Sequence, residues 1–241
     1  EGIRLKYITE AALRAALRAE APACYQVPQG QRLTPAAREY LQSRKIRIVP
    51  PGGTKPGAKF VDAETGAAYS EKPEHMTHLN GNVLAPKSHP RIAFRGRLDS
   101  LQSTILLVQC ALDGHGYDRL LADLEDLLRA LRMMMRCDVL DEPLPGGSLI
   151  GLSHPQLREQ SHDPQRFFGV RAMTLPHYTM GRELAMLNRL RTAVRETELA
   201  AVEAFLEDGR CTRSDLVEEL NRMSSALHIM MCRWIAGQYR T

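Results

Sequence analysis

Residues 188–198, NRLRTAVRETE, hold the side chains in this chain best suited to chemistry. On a helix, Asn188, Arg191, Arg195 and Glu198 fall at offsets 0, 3, 7 and 10 and share one polar stripe. Leu187, Leu190, Val194 and Ala201 form an apolar stripe beside it. Two arginines at i, i+4 repel and cost an isolated helix roughly 0.2–0.5 kcal/mol, which Glu198 offsets in part. Such a pair beside a buried face needs an anion. One answer is an ion-pair ladder between packed helices. The other is a polyphosphate, which guanidinium groups grip in a fork geometry.

Three further clusters carry donors or charge. Residues 77–91 read as a loop offering Thr77, His78, Asn80, Lys87 and Arg91. Asp99 and Gln102 share a face near an expected helix start, where the helix dipole favours a carboxylate. Asn221 interrupts an apolar helical pattern, as a polar contact between helices or a ligand group would. The eight histidines assemble no metal site: His75 and His78 are three apart but have only Glu74 beside them. No Ser-His-Asp order, GxSxG or Cys-His pattern supports a hydrolase. The segment GGTK at 52–55 lacks the spacing and the following helix of a phosphate loop.

These residues must be held by elements that the sequence also outlines. The chain has 241 residues, 44% hydrophobic and 25% charged, which is ordinary globular material. Aromatics make up only 5%, so the core must come from aliphatic residues and Met, which favours helices over a sandwich. Residues 10–18 read as a short amphipathic helix. Thr34 and Pro35 then open a second helix as N-cap and first position, running to about residue 43. Residues 45–49 and 59–62 are expected to be strands of a hairpin across the turn-rich 50–57, and 63–72 a connector. Residues 1–70 thus form a small α/β appendage. From 71 to 241 the pattern is mainly α. Helices are expected at 97–112, 117–137, 181–206 and 215–237, with short ones at 153–160 and 165–168. Asp208-Gly209 ends the third of the long helices, and Thr212 with Asp215 has the spacing of a capping box.

The formal net charge is +4, with no basic tail, so nucleic acid and membrane surfaces are poor partners and an anionic small molecule suits equally well. Five widely spaced cysteines without a CxxC point to a reducing cytoplasm rather than a disulfide framework. Neither a signal-peptide h-region nor an apolar run of membrane-spanning length is expected.

Taken together, the four clusters resemble the cobalamin adenosyltransferases of the ethanolamine-utilisation (EutT-type) branch, related to the PduO-type enzymes. The shared elements are Thr77-x-Leu79 with Lys87-Ser88-His89-Pro90-Arg91, Leu98-Asp99-Ser100-Leu101-Gln102-Ser103, Arg191-x3-Arg195-x2-Glu198, and Leu220-Asn221-Arg222-Met223-Ser224. The appendage's RLTPAAREYLQSRKIRI, residues 32–48, resembles the EutT type alone. The resemblance implies a five-helix bundle, assembled as a trimer with sites between subunits, and a reaction. Reduced cobalamin attacks the ribose C5′ of ATP, giving adenosylcobalamin and triphosphate for ethanolamine ammonia-lyase. It further implies that Thr77, Lys87 and Arg195 serve the phosphates with Mg²⁺, that Arg91 is among the cofactor-binding residues, that Glu198 orients the arginine and ribose region, and that Asn221 holds the nucleotide. Asp99 would pair with Arg191. His78 or Asn80 would replace the glycine-rich phosphate grip, which is EKPEHM here, and Phe168 and Tyr178 are the aromatics offered to the corrin. No transition metal is expected, because 63–72 lacks the cysteine cluster found in many EutT-type members. Implied partners are a cobalamin reductase, and the ammonia-lyase or its reactivase, in the cytoplasm or at a bacterial microcompartment. The rival is a non-catalytic helical module that binds corrinoid or nucleotide and docks on the ammonia-lyase or the compartment.

Overall fold

A computed structural model describes residues 6–17, 22, 24–28, 30–50, 59–172 and 174–239. The expected turn at 50–57 falls almost wholly outside them. The chain divides into two compact units, Glu1–His89 and Pro90–Thr241.

In the first unit, β1 (Lys6–Ile8) leads into α1 (Glu10–Ala16). β2 (Cys24–Gln26) and β3 (Gln31–Leu33) precede α2 (Pro35–Ser43). The Thr34 hydroxyl accepts from the Ala37 amide, so the α2 start is the one the sequence predicts. Then come β4 (Arg47–Val49), β5 (Phe60–Asp62), β6 (Ala67–Tyr69), β7 (Met76–Asn80) and β8 (Val83–Pro86). Six of these strands form one mixed sheet, in the order β4-β2-β6-β5-β8-β7, and β1 pairs with β3 in parallel. Tyr25, Leu13, Leu17, Leu41, Met76 and Leu84 fill the core of this unit.

Three expectations are corrected here. Segments 45–49 and 59–62 do not pair with each other: β4 is an edge strand parallel to β2, and β5 lies between β6 and β8. The connector 63–72 contains a strand. Asp62 turns the chain by accepting the Glu64 and Thr65 amides, and Gly66 returns it at a φ of +70°. A Cβ at Gly66 would lie 2.1 Å from the Gln26 carbonyl oxygen, so only glycine fits. The expected loop at 77–91 is the β7-β8 hairpin followed by the first turn of a helix. That hairpin extends the sheet, which is why the first compact unit runs past residue 70 to His89.

The second unit is built on four long helices: α3 (Pro90–Leu112), α4 (Asp118–Leu140), α7 (Arg182–Phe205) and α8 (Ser214–Ile235). Between α4 and α7 lie the short ladder β9 (Ser148–Leu149) and β10 (Leu152–Ser153), then α5 (His154–His162) and α6 (Pro164–Phe168). α7 packs on both α3 and α8, and α5 covers α8, giving the mainly α bundle that the Leu periodicity predicts. Leu98, Leu101, Leu124, Leu131, Leu190, Leu220 and Met230 interlock in one core. The far end of α8 is tied to α4: Arg233 and the Tyr239 hydroxyl both donate to Asp123, at 3.0 and 2.5 Å.

Helix ends depart from the sequence reading in two places. α3 begins at Pro90, so Asp99 sits in its third turn, where the dipole no longer favours a carboxylate. No capping box forms at Thr212. Helix α7 ends at Phe205, a tight hairpin of β11 (Leu206–Glu207) and β12 (Arg210–Cys211) follows, and the Thr212 hydroxyl donates to the Phe205 carbonyl. Asp215 is taken instead by Arg213 and by the Leu144 amide.

Candidate functional site

The polar stripe forms as read. α7 buries Leu184, Leu187, Leu190, Val194 and Ala201, which turns Asn188, Arg191, Arg195 and Glu198 to the adjoining face. Arg191, half-buried, donates from Nε and Nη2 to the Asn188 Oδ1 at 3.3 and 3.1 Å. Arg195 is exposed and makes no hydrogen bond or ion pair among the described residues. Among the described residues, neither arginine meets a carboxylate. The positive field reaches α8. Burial first, and the Arg191 charge second, push the His228 imidazole below its ordinary pKa.

Glu198 and Asn221 join the two helices. Asn221 Nδ2 donates to Glu198 Oε1 at 2.9 Å. Arg222 donates to Asn221 Oδ1 through Nη2, and its Nε is buried without a hydrogen-bond partner among the described residues. Beside them lies an open depression of about 340 Å³, lined by Glu198, Cys211, Ser214, Val217, Glu218 and Asn221. A guanidinium pair without counter-ions, next to an amide and carboxylate that line a depression, can take a polyphosphate together with the hydroxyls of a sugar.

The other predicted residues have varied placements. Asp99 is exposed on α3 and has no partner among the described residues, so the expected pair with Arg191 does not form within the chain. Arg91 is already committed. It donates to the Asp138 carboxylate and carbonyl, both at 2.6 Å, and to Asp141 at 3.0 Å. Asp138 is fully buried on α4 and also takes Arg95 Nε at 2.5 Å. A buried carboxylate must be paired, and this one claims the arginine that the resemblance counts among the cofactor-binding residues. Phe168 is half-buried against the bundle core, with its ring 6.3 Å from that of Phe167. Tyr178 is 84% exposed, its ring 4.5 Å from His177.

In the first unit, Thr77, His78 and Asn80 lie along β7, and Lys87 is exposed in the turn after β8, where its amide donates to the His75 carbonyl at 2.9 Å. The His78 Nδ1 lies 2.9 Å from the Gly81 carbonyl, and its ring meets Phe60 edge-on. Among the described residues, no three His, Cys, Asp or Glu side chains are grouped to hold a metal ion.

Comparison with known proteins decides the family. The cobalamin adenosyltransferase profile matches residues 68–234, and the EutT N-terminal domain profile matches residues 7–77. The chain belongs to the cobalamin adenosyltransferase family, in its EutT branch. It is 35% identical to the corrinoid adenosyltransferase EutT of Escherichia coli K12, over 96% of this chain and 93% of that one. It is 34% identical to the EutT of Salmonella typhimurium, over 95% and 92%. The bundle also matches a solved PduO-type ATP:corrinoid adenosyltransferase variant from Lactobacillus reuteri, complexed with cobalamin and ATP. The TM-score is 0.55 at 18% identity, covering 68% of this chain and 91% of the other, so the two share the adenosyltransferase fold.

Sequence reasoning missed Arg95 and Asp138, whose link joins positions 43 residues apart. It also missed His228 and the lining residues Cys211, Ser214 and Glu218. Helical spacing from Asn221 was the available signal for Ser214 and Glu218, seven and three residues upstream.

Proposed function

We propose that the chain is an ATP:cob(I)alamin adenosyltransferase that supplies adenosylcobalamin to an ethanolamine ammonia-lyase. The observation that carries this reading is the Arg191–Arg195 stripe, left without carboxylates in a chain whose relatives over nearly its whole length are corrinoid adenosyltransferases. The reduced cobalt of the substrate brings the electron pair that forms the Co–C5′ bond. The C5′–O bond breaks and its electrons leave with triphosphate. Co(I) is a strong nucleophile, so the protein has little acid–base work. It must hold C5′ in line, take up charge on the leaving group and keep water away.

On this reading Arg195 meets the triphosphate, with Mg²⁺ carried by ATP; Asn221, held by Glu198, meets the nucleoside. Thr77 and Lys87 of the first unit are the further phosphate donors, and Arg91 acts by holding Asp138. Tyr178, being open, is the better of the two aromatics to meet the corrin. Asp99 of one copy pairs with Arg191 of the next in a homo-oligomer, a trimer on the family resemblance. The working site is the cytoplasm or the face of a microcompartment, with a cobalamin reductase as electron donor.

The test is direct. Protein, ATP and chemically reduced cobalamin should give the absorbance change of a new Co–C bond, with one triphosphate released per bond. Binding of both substrates without that change would favour the non-catalytic module.

A further inference from the structure

Two consecutive carboxylates on α8, Glu218 and Glu219, meet one side chain, that of His154. Its Nε2 lies 2.8 Å from Glu219 Oε2, and its Nδ1 lies 3.6 Å from Glu218 Oε1. His154 is the first residue of α5, where the helix dipole disfavours a cation, so the two carboxylates and not the helix account for it. Glu219 is buried, which raises its carboxyl pKa. The His154 charge pulls the other way, while Glu218 and Asp126 of α4 add to the rise. The other neighbours of α5 bring no charge to this point: β9 and β10 carry none, and Arg166 of α6 is turned to Glu159.

Glu218 differs from Glu219. It is exposed and stands in the wall of the depression with Glu198 and Asn221. Glu198 gives one oxygen to the Asn221 amide, whereas the ion-pair partner of Glu218 among the described residues is His154. Arg195, the cation assigned to the triphosphate, lies three residues before Glu198 on the same face of α7. A bare carboxylate in that wall would repel the polyphosphate that Arg195 attracts. We propose that His154 is a positioning residue of the nucleotide site: anchored on Glu219, it keeps Glu218 paired and so lets an anionic substrate approach the depression. It acts through Glu218 rather than by touching ATP. This inference rests on the adenosyltransferase reading, because it needs ATP in the seam between α7 and α8.

The test is calorimetric titration of the whole protein with MgATP at pH 6, where an ordinary imidazole is mostly charged, and at pH 9, where it is neutral. Solvent screens an exposed pair, so effects of about threefold in affinity are expected. The unaltered protein should bind ATP about threefold more tightly at pH 6 than at pH 9. His154→Gln, whose amide still donates to Glu219, should bind about threefold more weakly at pH 6 and lose most of the difference between the two pH values. Glu218→Gln should bind more tightly than the unaltered protein at pH 9. The double variant should behave like Glu218→Gln, since no carboxylate is left to mask. The proposal is overturned if the double variant binds as weakly as His154→Gln, which would place the effect in Glu219 and the packing of α5. It is also overturned if His154→Gln matches the unaltered protein at pH 6. Should His154→Gln fold poorly, Glu218→Gln decides alone, and equal affinity with the unaltered protein at pH 9 ends the proposal. An unaltered protein that binds no ATP at either pH would overturn it together with the adenosyltransferase reading.

Discussion

Two arginine pairs with the same i, i+4 spacing meet opposite fates in this bundle. Arg91 and Arg95 on α3 converge on Asp138, a carboxylate with no exposure at all, and close the seam between α3 and α4. Arg191 and Arg195 on α7 have an Asn oxygen and solvent. The repulsion intrinsic to the spacing is the same in both. What differs is whether the fold itself supplies the anion. Where it does, the pair is architecture; where it does not, the charge is kept for something that arrives. An arginine pair therefore reveals its role through the carboxylate inventory around it rather than through its own spacing.

The sharpest way to break this contrast is to remove the anion from the satisfied pair. Asp138→Ala takes the shared carboxylate from two half-buried guanidinium groups, leaving them the main-chain carbonyl and, for Arg91, Asp141, and should cost about 3 kcal/mol of stability, read as a lower denaturation midpoint in urea. Loss of activity with an unchanged midpoint would move Arg91 and Arg95 into the substrate site.

On the open pair the pattern should invert. Arg195→Ala removes a preorganised charge aimed at the leaving group and should lower turnover by about 10²–10³-fold. Its unfolding midpoint should stay level or rise slightly, since a like-charge neighbour is gone. Near-normal turnover would end the phosphate assignment.

Asp99 tests where the missing anion comes from. Alone, Asp99→Ala should weaken assembly and activity together, by about 1–3 kcal/mol of interface energy if the pair with a neighbour's Arg191 is partly desolvated. Mixed with an Arg195→Ala chain under subunit exchange, it should regain activity, because some interfaces then carry both intact residues. Hetero-oligomers that form and remain inactive would place the whole site within one chain.

The smallest effect is electrostatic. His228 has a depressed folded-state pKa, so the unfolded chain takes up its proton first as the pH drops. Its contribution is neutral above the unfolded value and becomes a loss of stability as pH falls from about 6.5 through the folded value. Arg191→Ala should move the His228 titration, followed by NMR, part of the way back up. Burial, the larger cause, should keep it below the ordinary value. No movement would mean that the Arg191 charge is already screened.

Much of this was legible from spacing. The α7 stripe and the α2 start at Thr34-Pro35 follow from local periodicity and side-chain chemistry, which need no partner in space. The rest depended on distant contacts. Asp138 reads as one more charge on an amphipathic helix until α3 delivers Arg91 and Arg95 to it. The Thr212–Asp215 spacing satisfies a local rule, but Arg213 and the Leu144 amide outbid it for the carboxylate. β6 and the β7-β8 hairpin were missed because three- to five-residue strands leave too little alternation to register, and their pairing comes from other segments. The resemblance named candidate site residues in sequence, but only the structure distinguishes Arg91, already held, from Arg195, still open.

The tie from Tyr239 and Arg233 back to Asp123 also bears on how the bundle is made. A ribosome delivers α4 more than a hundred residues before the partners of Asp123 appear, a separation of 116 positions for Tyr239. α7 emerges with one flank bare, because α8 is still inside the exit tunnel. The bundle therefore cannot close until α8 has left the tunnel, and the nascent chain must shelter a half-built aliphatic core until then. Stalled nascent chains ending near residue 236 should remain as protease-sensitive as ones ending before α8, and a chain reaching residue 239 and free of the tunnel should become resistant.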